Sequence, residues 1–380
     1  MRSHRVTLNS ILYVTNVEIN DVHGLRVMPF YRELNPTGNE DDKRTIERLL
    51  LLRKQLQTIP DRTHSETLLL ATWNIREFDS NSYGKRLNEA IYYMAEIISR
   101  FDLVAVQEVN KDLTGLNRLM KILGGQWDAI FTDTTLGKRG NEERMAFLYD
   151  KRKVAFGGLA GELVLPDEKE KGKTMPVTQL ARTPFICGFQ AGWTKFMLAT
   201  VHIYYGPKKA EPPERINEIR QVAQQLSKRT ADEDAWARNL ILLGDFNIFR
   251  PKNKTFQEVV NAGFKIPEKL QQLPSNVQQN KHYDQIAFMN RKDSLEWTGE
   301  AGVFNYYDTV FCDTPEDKAI YMKYMPNYEK TTEGNPRTEE SKATYYPSKW
   351  RTYQMSDHLV MWVELKIDYS DEYLQWKLTT

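Results

Sequence analysis

The stretch that most restricts how this chain folds is Asn239 to Ile248, NLILLGDFNI, because it changes from apolar to acidic at a single point. Leu240 to Leu243 is an unbroken apolar run of strand length, the pattern of a strand covered on both faces. Gly244 permits a sharp turn or a close backbone approach. Asp245 and Asn247 follow two residues apart, so in extended chain their side chains point the same way while Phe246 points back into protein. A carboxylate and an amide at the carboxyl end of a buried strand occupy the place where α/β sheets usually keep their sites.

Around this stretch the chain alternates between strand and helix patterns from Glu66 onward. Leu68 to Thr72 reads as a buried strand running into Trp73, Asn74, Ile75 and Arg76. Phe101 to Val106 reads as another, running into Gln107 and Glu108. Strands are also expected near 127–131, 145–149, 184–189, 194–203, 283–289 and 359–365. Helical spacing recurs at Leu87, Ile91, Met94, Ala95 and Ile98, over 113–123, at Ile216, Ile219, Val222 and Leu226 behind Pro213, and near 256–262.

With 380 residues, 41% of them hydrophobic, the chain can bury a large core. A net charge of +1 supplies no global field toward polyanions, so any such contact must come from a local patch. Cys187 and Cys312 lack the number for a disulfide framework and the spacing for a zinc site, and read as small buried side chains. The amino-terminal run, broken by Asn9, Thr15, Asn16 and Glu18, is a poor signal peptide, and no stretch has the roughly 18 apolar residues of a membrane span. A soluble, cytoplasmic protein is the expectation.

Two regions lie outside the alternating pattern. Residues 1–65 form an amino-terminal extension in which Glu40 to Gln57 starts acidic, ends basic and carries a stripe of Ile46, Leu49, Leu50 and Leu56. That predicts a helix packed on the main domain of residues 66–380, the alternative being a helix that binds a partner. Residues 313–350, rich in Tyr, Lys, Glu, Pro and Thr without periodicity, read as an inserted surface excursion, either unstructured or a flap. In the flap reading Tyr321, Lys323, Tyr324, Tyr345, Tyr346, Lys349, Trp350 and Arg351 stack on bases and neutralise phosphates.

The polar residues that interrupt strand ends are Asn74, Glu108, His202, Asp245, Asn247, Asp284, Asp357 and His358. Taken singly, each is a turn, cap or satisfied core residue more often than a catalyst. Their recurrence on several strands suggests convergence on one pit. Oxygen donors without sulfur favour magnesium or manganese over zinc. Carboxylates, a metal and two imidazoles suit attack of water on a phosphoester.

The ordered set WNI, QE, ER before an apolar strand, VH, GDFN, YDQI and SDH resembles the endonuclease/exonuclease/phosphatase superfamily, and its deoxyribonuclease I branch most closely, over about Leu68 to Leu365. GDFN and SDH with QE upstream are jointly specific; each alone is weak. The resemblance implies a four-layer α/β/β/α sandwich with two facing mixed β-sheets. It implies Mg2+, or Mn2+, held by Glu108 with Asn74 and Asp357. It further implies that Asp245 orients and deprotonates the attacking water, Asn247 holds the scissile phosphate, and His202 and His358 bond phosphate oxygens, backed by Glu143 and Asp284. A carboxylate behind an imidazole fixes its tautomer and favours the cation.

Two departures bear on the substrate. Where deoxyribonuclease I has an arginine two residues after the metal glutamate, this chain has Asn110, followed by Lys111. Val360 stands where SDH is usually followed, one residue on, by proline. Arg76, Lys111, Lys138, Arg139 and Arg144 are then the candidate phosphate contacts, with Tyr204 beside them on the substrate side. The expected function is a metal-dependent phosphodiesterase, most simply a nuclease acting on DNA or RNA. A phosphatase or phospholipid esterase, or an inactive protein that binds through the same site, are the alternatives.

Overall fold

The computed structural model describes residues 28–380 apart from 81, 135–141, 171–172, 176–178 and 291–294. Lys138, Arg139 and the first 27 residues therefore lie outside the described residues.

Among the described residues thirteen strands run in chain order: β1 Thr67–Phe78, β2 Leu103–Asn110, β3 Trp127–Phe131, β4 Glu143–Asp150, β5 Ala155–Glu162, β6 Glu168–Glu170, β7 Lys173–Met175, β8 Phe185–Ala191, β9 Thr194–His202, β10 Leu240–Asp245, β11 Asp284–Met289, β12 Glu296–Phe304 and β13 Val360–Lys366. A six-stranded sheet has the order β12-β13-β1-β2-β4-β3 and a five-stranded sheet the order β11-β10-β9-β8-β5; β6 and β7 form a separate ribbon. Only β1–β2 and β9–β10 pair in parallel within the two large sheets, so both are mixed. β1 and β2 pack on β9 and β10, and β11 packs on β13, which brings the sheets face to face. The expected four-layer architecture is the one observed.

Strand alternation decides which residues the sheets enclose. In β1, Leu68 and Leu70 join the core between the sheets, while Leu69, Ala71, Trp73 and Ile75 join the core beneath the outer helices. β2, β4 and β13 repeat the division: Leu103, Phe147 and Val363 face inward, and Val104, Leu148 and Trp362 face outward. The same parity carries Thr72 and Asn74 to the inward face. There Gln107 donates to Thr72 and, across the gap, to Thr200 of β9 at 2.8 Å.

The outer face of the six-stranded sheet is covered by α1 Glu40–Leu56, α2 Asn88–Ile98 and α3 Thr114–Leu123. The other sheet is covered by α4 Pro213–Ala231 and α5 Lys254–Asn261. Asn39 caps α1 by accepting from the amides of Asp41 and Asp42, and the helix buries Thr45, Leu49, Leu52 and Leu56. Leu50, expected on the buried stripe, is exposed and Leu52 takes its place, because the residues that face α2 recur at 45, 49, 52 and 56. No helix among the described residues is long and apolar enough to cross a membrane.

The segment from 313 to 350 departs from its sequence reading. It contains helices at Pro315–Tyr321 and Glu339–Tyr345, and Tyr321, Tyr345, Tyr346 and Trp350 are buried in the outer core, Tyr321 and Trp350 against Phe311, Tyr346 against both of them and Tyr345 against Tyr328. Those rings are therefore withdrawn from any role in stacking on bases. The segment lacked a hydrophobic period because its short helices bury tyrosines whose hydroxyls bond inward, as Tyr321 does to Glu89 and Tyr346 to the Cys312 carbonyl. Two edge strands, β5 and β12, also went unread; both are largely exposed and contain glycine. Cys187 is buried as expected, whereas Cys312 is half-buried.

Candidate active site

Three strand ends of the five-stranded sheet lie on one rung. Asp245 pairs with His202 on β9 and with Asp284 on β11, and residues opposite one another in a ladder share a face. All three thus project toward the other sheet. Gly244, just before, has φ +129°, and a Cβ there would come within 2.2 Å of the Val201 carbonyl oxygen, so only glycine lets β10 approach β9 this closely.

From the six-stranded sheet come Asn74 and Glu108. Strict alternation would send Glu108 outward with Val104 and Val106. The pairing of β2 with β4 shifts between Val106 and Val109, that with β1 shifts between Asn74 and Phe78, and Glu108 has φ +61°, so a bulge turns its carboxylate into the gap. Asn247 is also left-handed, at φ +54°. Two non-glycine residues in a sparsely populated conformation at one site are the pattern of local strain retained at functional positions.

The groups meet in a cleft of about 790 Å3 lined by Glu108, Glu143, His202, Asp245, Asn247, Asp357 and His358, among others. Asn74 Nδ2 donates to Glu108 Oε1 at 3.0 Å and to Asp245 Oδ2 at 3.1 Å. His202 Nε2 is 3.5 Å and His358 Nε2 is 3.6 Å from the same Asp245 oxygen. The second oxygen, Oδ1, accepts from the Asn247 amide at 2.8 Å. The Asn247 side chain donates to the Ile203 carbonyl at 2.8 Å, so its amide is fixed in orientation.

Each imidazole has a carboxylate behind it, and the two pairs differ. His358 Nδ1 is hydrogen-bonded to Asp284 Oδ2 at 2.8 Å. His202 Nδ1 is 2.8 Å from Glu143 Oε1, within ion-pair distance but without hydrogen-bond alignment. Glu143 is also paired with Arg182, a buried cation on the cleft wall, whereas among the described residues Asp284 has no cation but His358. Burial and the Arg182 charge push His202 down to about 4. Burial acts the same way on His358, but Asp284 and Asp245 outweigh it and hold that imidazole well above its usual range. The two imidazoles are therefore driven in opposite directions, His202 toward the neutral form and His358 toward the cation. Burial also raises Asp245 above the usual carboxylate range.

The remaining sequence candidates divide. Arg76 and Lys111 line the cleft, Arg76 bonded to Thr352 and Lys111 paired with Glu142. Arg144 does not line it: its guanidinium turns to the Thr132 carbonyl and Asp133 over the Phe131 ring, at the β3–β4 edge. Tyr204 does not line it either. The chain leaves β9 at His202, Arg215 binds the carbonyls of Tyr204 and Tyr205, and it is Tyr205 that reaches the cleft.

Sequence reasoning missed Arg182, Arg215 and Ser356. Arg215 is buried, has no carboxylate ion-pair partner among the described residues, and holds the carbonyls of Tyr204, Tyr205, Lys209 and Asn247. Ser356 Oγ donates to the Asn74 carbonyl at 2.6 Å and accepts from the His358 and Arg76 amides, tying the end of β1 to the turn that carries His358. Arg182 and Ser356 lie in irregular backbone, and Arg215 in the first turn of α4 is a charged residue outside that helix's apolar stripe, so no periodic signal marks any of the three.

No family model matches the chain. It is 32% identical over 187 residues to a deoxyribonuclease of Thioalkalivibrio sp. (strain K90mix), covering 48% of this chain and 46% of that one, so it spans about half the length of the curated relative it matches. Among solved structures it matches the human Nocturnin catalytic domain (14% identity, TM-score 0.48, 79% of this chain and 94% of that one). It also matches an endonuclease/exonuclease/phosphatase family protein from Bacteroides thetaiotaomicron (17%, TM-score 0.47, 80% and 95%). A mannosyl-6-phosphatase of the same organism matches at 15% identity, TM-score 0.46, over 78% and 99%. The curated relative is named a deoxyribonuclease, the branch that the motifs resemble.

Proposed function

We propose, taking this resemblance as the premise, that the chain is a divalent-metal-dependent phosphodiesterase that hydrolyses nucleic acid. The observation that carries the reading is the convergence of two imidazoles and an asparagine amide on one oxygen of Asp245, with Glu108 beside them, at the facing ends of two sheets.

The donor set suits a hard cation. Asn74 Oδ1 is buried with no hydrogen-bond partner among the described residues, and Glu108, bonded to Asn74, and Asp357 present carboxylates to the cleft. Those three residues would hold Mg2+ or Mn2+. Such an ion, when bound, neutralises charge developing on the phosphate and its leaving oxygen.

The protein groups have distinct work. Asp245, with its pKa raised by burial, accepts a proton from the attacking water, and Asn74 and Asn247 fix its two oxygens in place. The protonated His358 donates a hydrogen bond to a phosphate oxygen, with Asp284 fixing its ring. His202 faces the opposite side of the phosphate, where Nε2 donates to a phosphate oxygen when it carries the ring's proton, and Arg182 lends positive charge near it. Water is activated, the phosphate is held from both sides, and the leaving oxygen departs in line.

The test is incubation of the full chain with plasmid, single-stranded DNA, RNA, a phosphoinositide panel and sugar phosphates, in magnesium, manganese and chelator. Metal-dependent cleavage of a polynucleotide that falls at least a thousandfold in Asp245→Asn is the expected result. Undiminished turnover by that variant, or cleavage of monoesters alone, overturns the reading.

A further inference from the structure

The two walls of the cleft differ in kind. On one, the cations are matched by carboxylates: Arg76 by Glu77, Lys111 by Glu142. On the other, an aromatic shelf runs outward from the catalytic groups. Tyr283 lies 5.4 Å from the His358 ring, Tyr205 lies 6.3 Å from Tyr283, and Phe249 packs 5.8 Å from Tyr283 and 6.3 Å from Tyr205. Tyr205 and Tyr283 line the cleft, as does Lys208. Lys281 sits 3.8 Å over the Phe249 ring, and the Arg215 guanidinium stacks against Tyr205 from within at 5.1 Å.

Around this shelf Lys208, Lys209 and Arg250 are exposed and Lys281 half-exposed, and no carboxylate pairs with any of them among the described residues. Exposed cations left unmatched beside ring faces combine the two ingredients of single-strand binding: charge for the backbone and π-faces for bases. A base within a duplex has both faces covered by its neighbours. Only an unpaired nucleotide can offer a face to Tyr205.

We propose that the Tyr205–Tyr283 shelf with Lys208, Arg250 and Lys281 is a binding track for an unpaired polynucleotide strand flanking the scissile phosphate. This rests on the proposed phosphodiesterase reading for its register, since Tyr283 joins the shelf to His358, but its binding is measurable without turnover. The track supplies selectivity that the catalytic groups lack, because those recognise phosphate and are indifferent to base pairing.

The experiment is fluorescence anisotropy of a labelled 20-nucleotide strand, single or annealed to its complement, with the full chain in chelator, across a salt series. The single strand is expected to bind at least tenfold tighter than the duplex. Tyr205→Ala is expected to weaken single-strand binding about tenfold, and Tyr205→Phe to restore it. The exposed pair Lys208→Glu with Arg250→Glu is expected to lower the slope of log Kd against log salt by about 0.7 for each phosphate no longer neutralised. Equal binding of duplex and single strand, equal effects of Tyr205→Ala and Tyr205→Phe, or an unchanged salt slope overturns the track. Hydrolysis of bis(p-nitrophenyl) phosphate in magnesium, run in parallel, reports on the phosphodiesterase reading separately. Selective binding without any hydrolysis would sink that reading and leave the track standing.

Discussion

His358 Nδ1 and Asp284 Oδ2 lie 2.8 Å apart inside the protein, although 74 residues separate them in the chain. The pair exists because Asp284 opens β11 on the rung of Asp245, and the turn before β13 is held over it by Ser356, Tyr306 and Trp73. Replacing Asp284 with Asn removes the charge that keeps His358 cationic while preserving shape. Turnover should fall about a hundredfold with KM little changed, read by steady-state kinetics on the substrate that the panel identifies.

Glu108 enters the cleft only through the bulge in β2. Glu108→Gln keeps the hydrogen bond from Asn74 but removes a hard anionic ligand. The magnesium concentration for half-maximal activity should rise at least tenfold, and activity removed by chelator should return on adding magnesium to the parent protein. A half-saturation equal to the parent's would exclude Glu108 from the metal site.

Gly244→Ala places a methyl group within 2.2 Å of the Val201 carbonyl oxygen in a backbone with φ +129°. Neither strand can retreat without breaking the rung that aligns His202, Asp245 and Asp284. A loss of about 1–3 kcal/mol or more in denaturant unfolding is expected, with turnover reduced beyond what the remaining folded fraction accounts for.

Far from the cleft, Arg62 bridges the buried carboxylates of Asp102 and Asp150, which Lys153 and Arg152 also contact. Arg62→Ala leaves both carboxylates short of charge and should cost about 3–5 kcal/mol. Burial raises the Asp150 pKa, but its bonds to Arg152 and Arg62 outweigh that and hold it below the ordinary value of 3.8. A depressed folded pKa stabilises above the unfolded value and ceases to do so as pH falls through the folded one. Asp150 should therefore favour the fold above about pH 4 and lose that contribution progressively below it. Melting temperature followed from pH 6 to pH 2 should drop less steeply in Asp150→Asn than in the parent.

Arg215→Lys keeps one positive charge but cannot reach four carbonyls at once. The left-handed Asn247 and the Tyr205 loop should lose their common anchor. A drop of tenfold or more in turnover, alongside a small change in melting temperature, would separate positioning from bulk stability.

What the sequence by itself determined were the local patterns: buried strands that stop at acidic or amide residues, amphipathic helices between them, and an ordered series of short motifs. These are legible because strand and helix periods and the apolar-to-polar switch at Leu243–Asp245 are properties of neighbouring residues. The tertiary structure alone decided the rest. Alternation continued past Val106 would place Glu108 on the wrong face, and only the bulge, fixed by pairing with β1 and β4, turns it inward. The tyrosines of 313–350 read as surface because their burial depends on partners hundreds of residues away, such as Glu89. Burial lowers both imidazoles, and they diverge because Arg182 lies beside one carboxylate while among the described residues the other has no cation but its own imidazole. Proximity between residues distant in the chain is set by sheet register and desolvation, and neither is written in any local stretch.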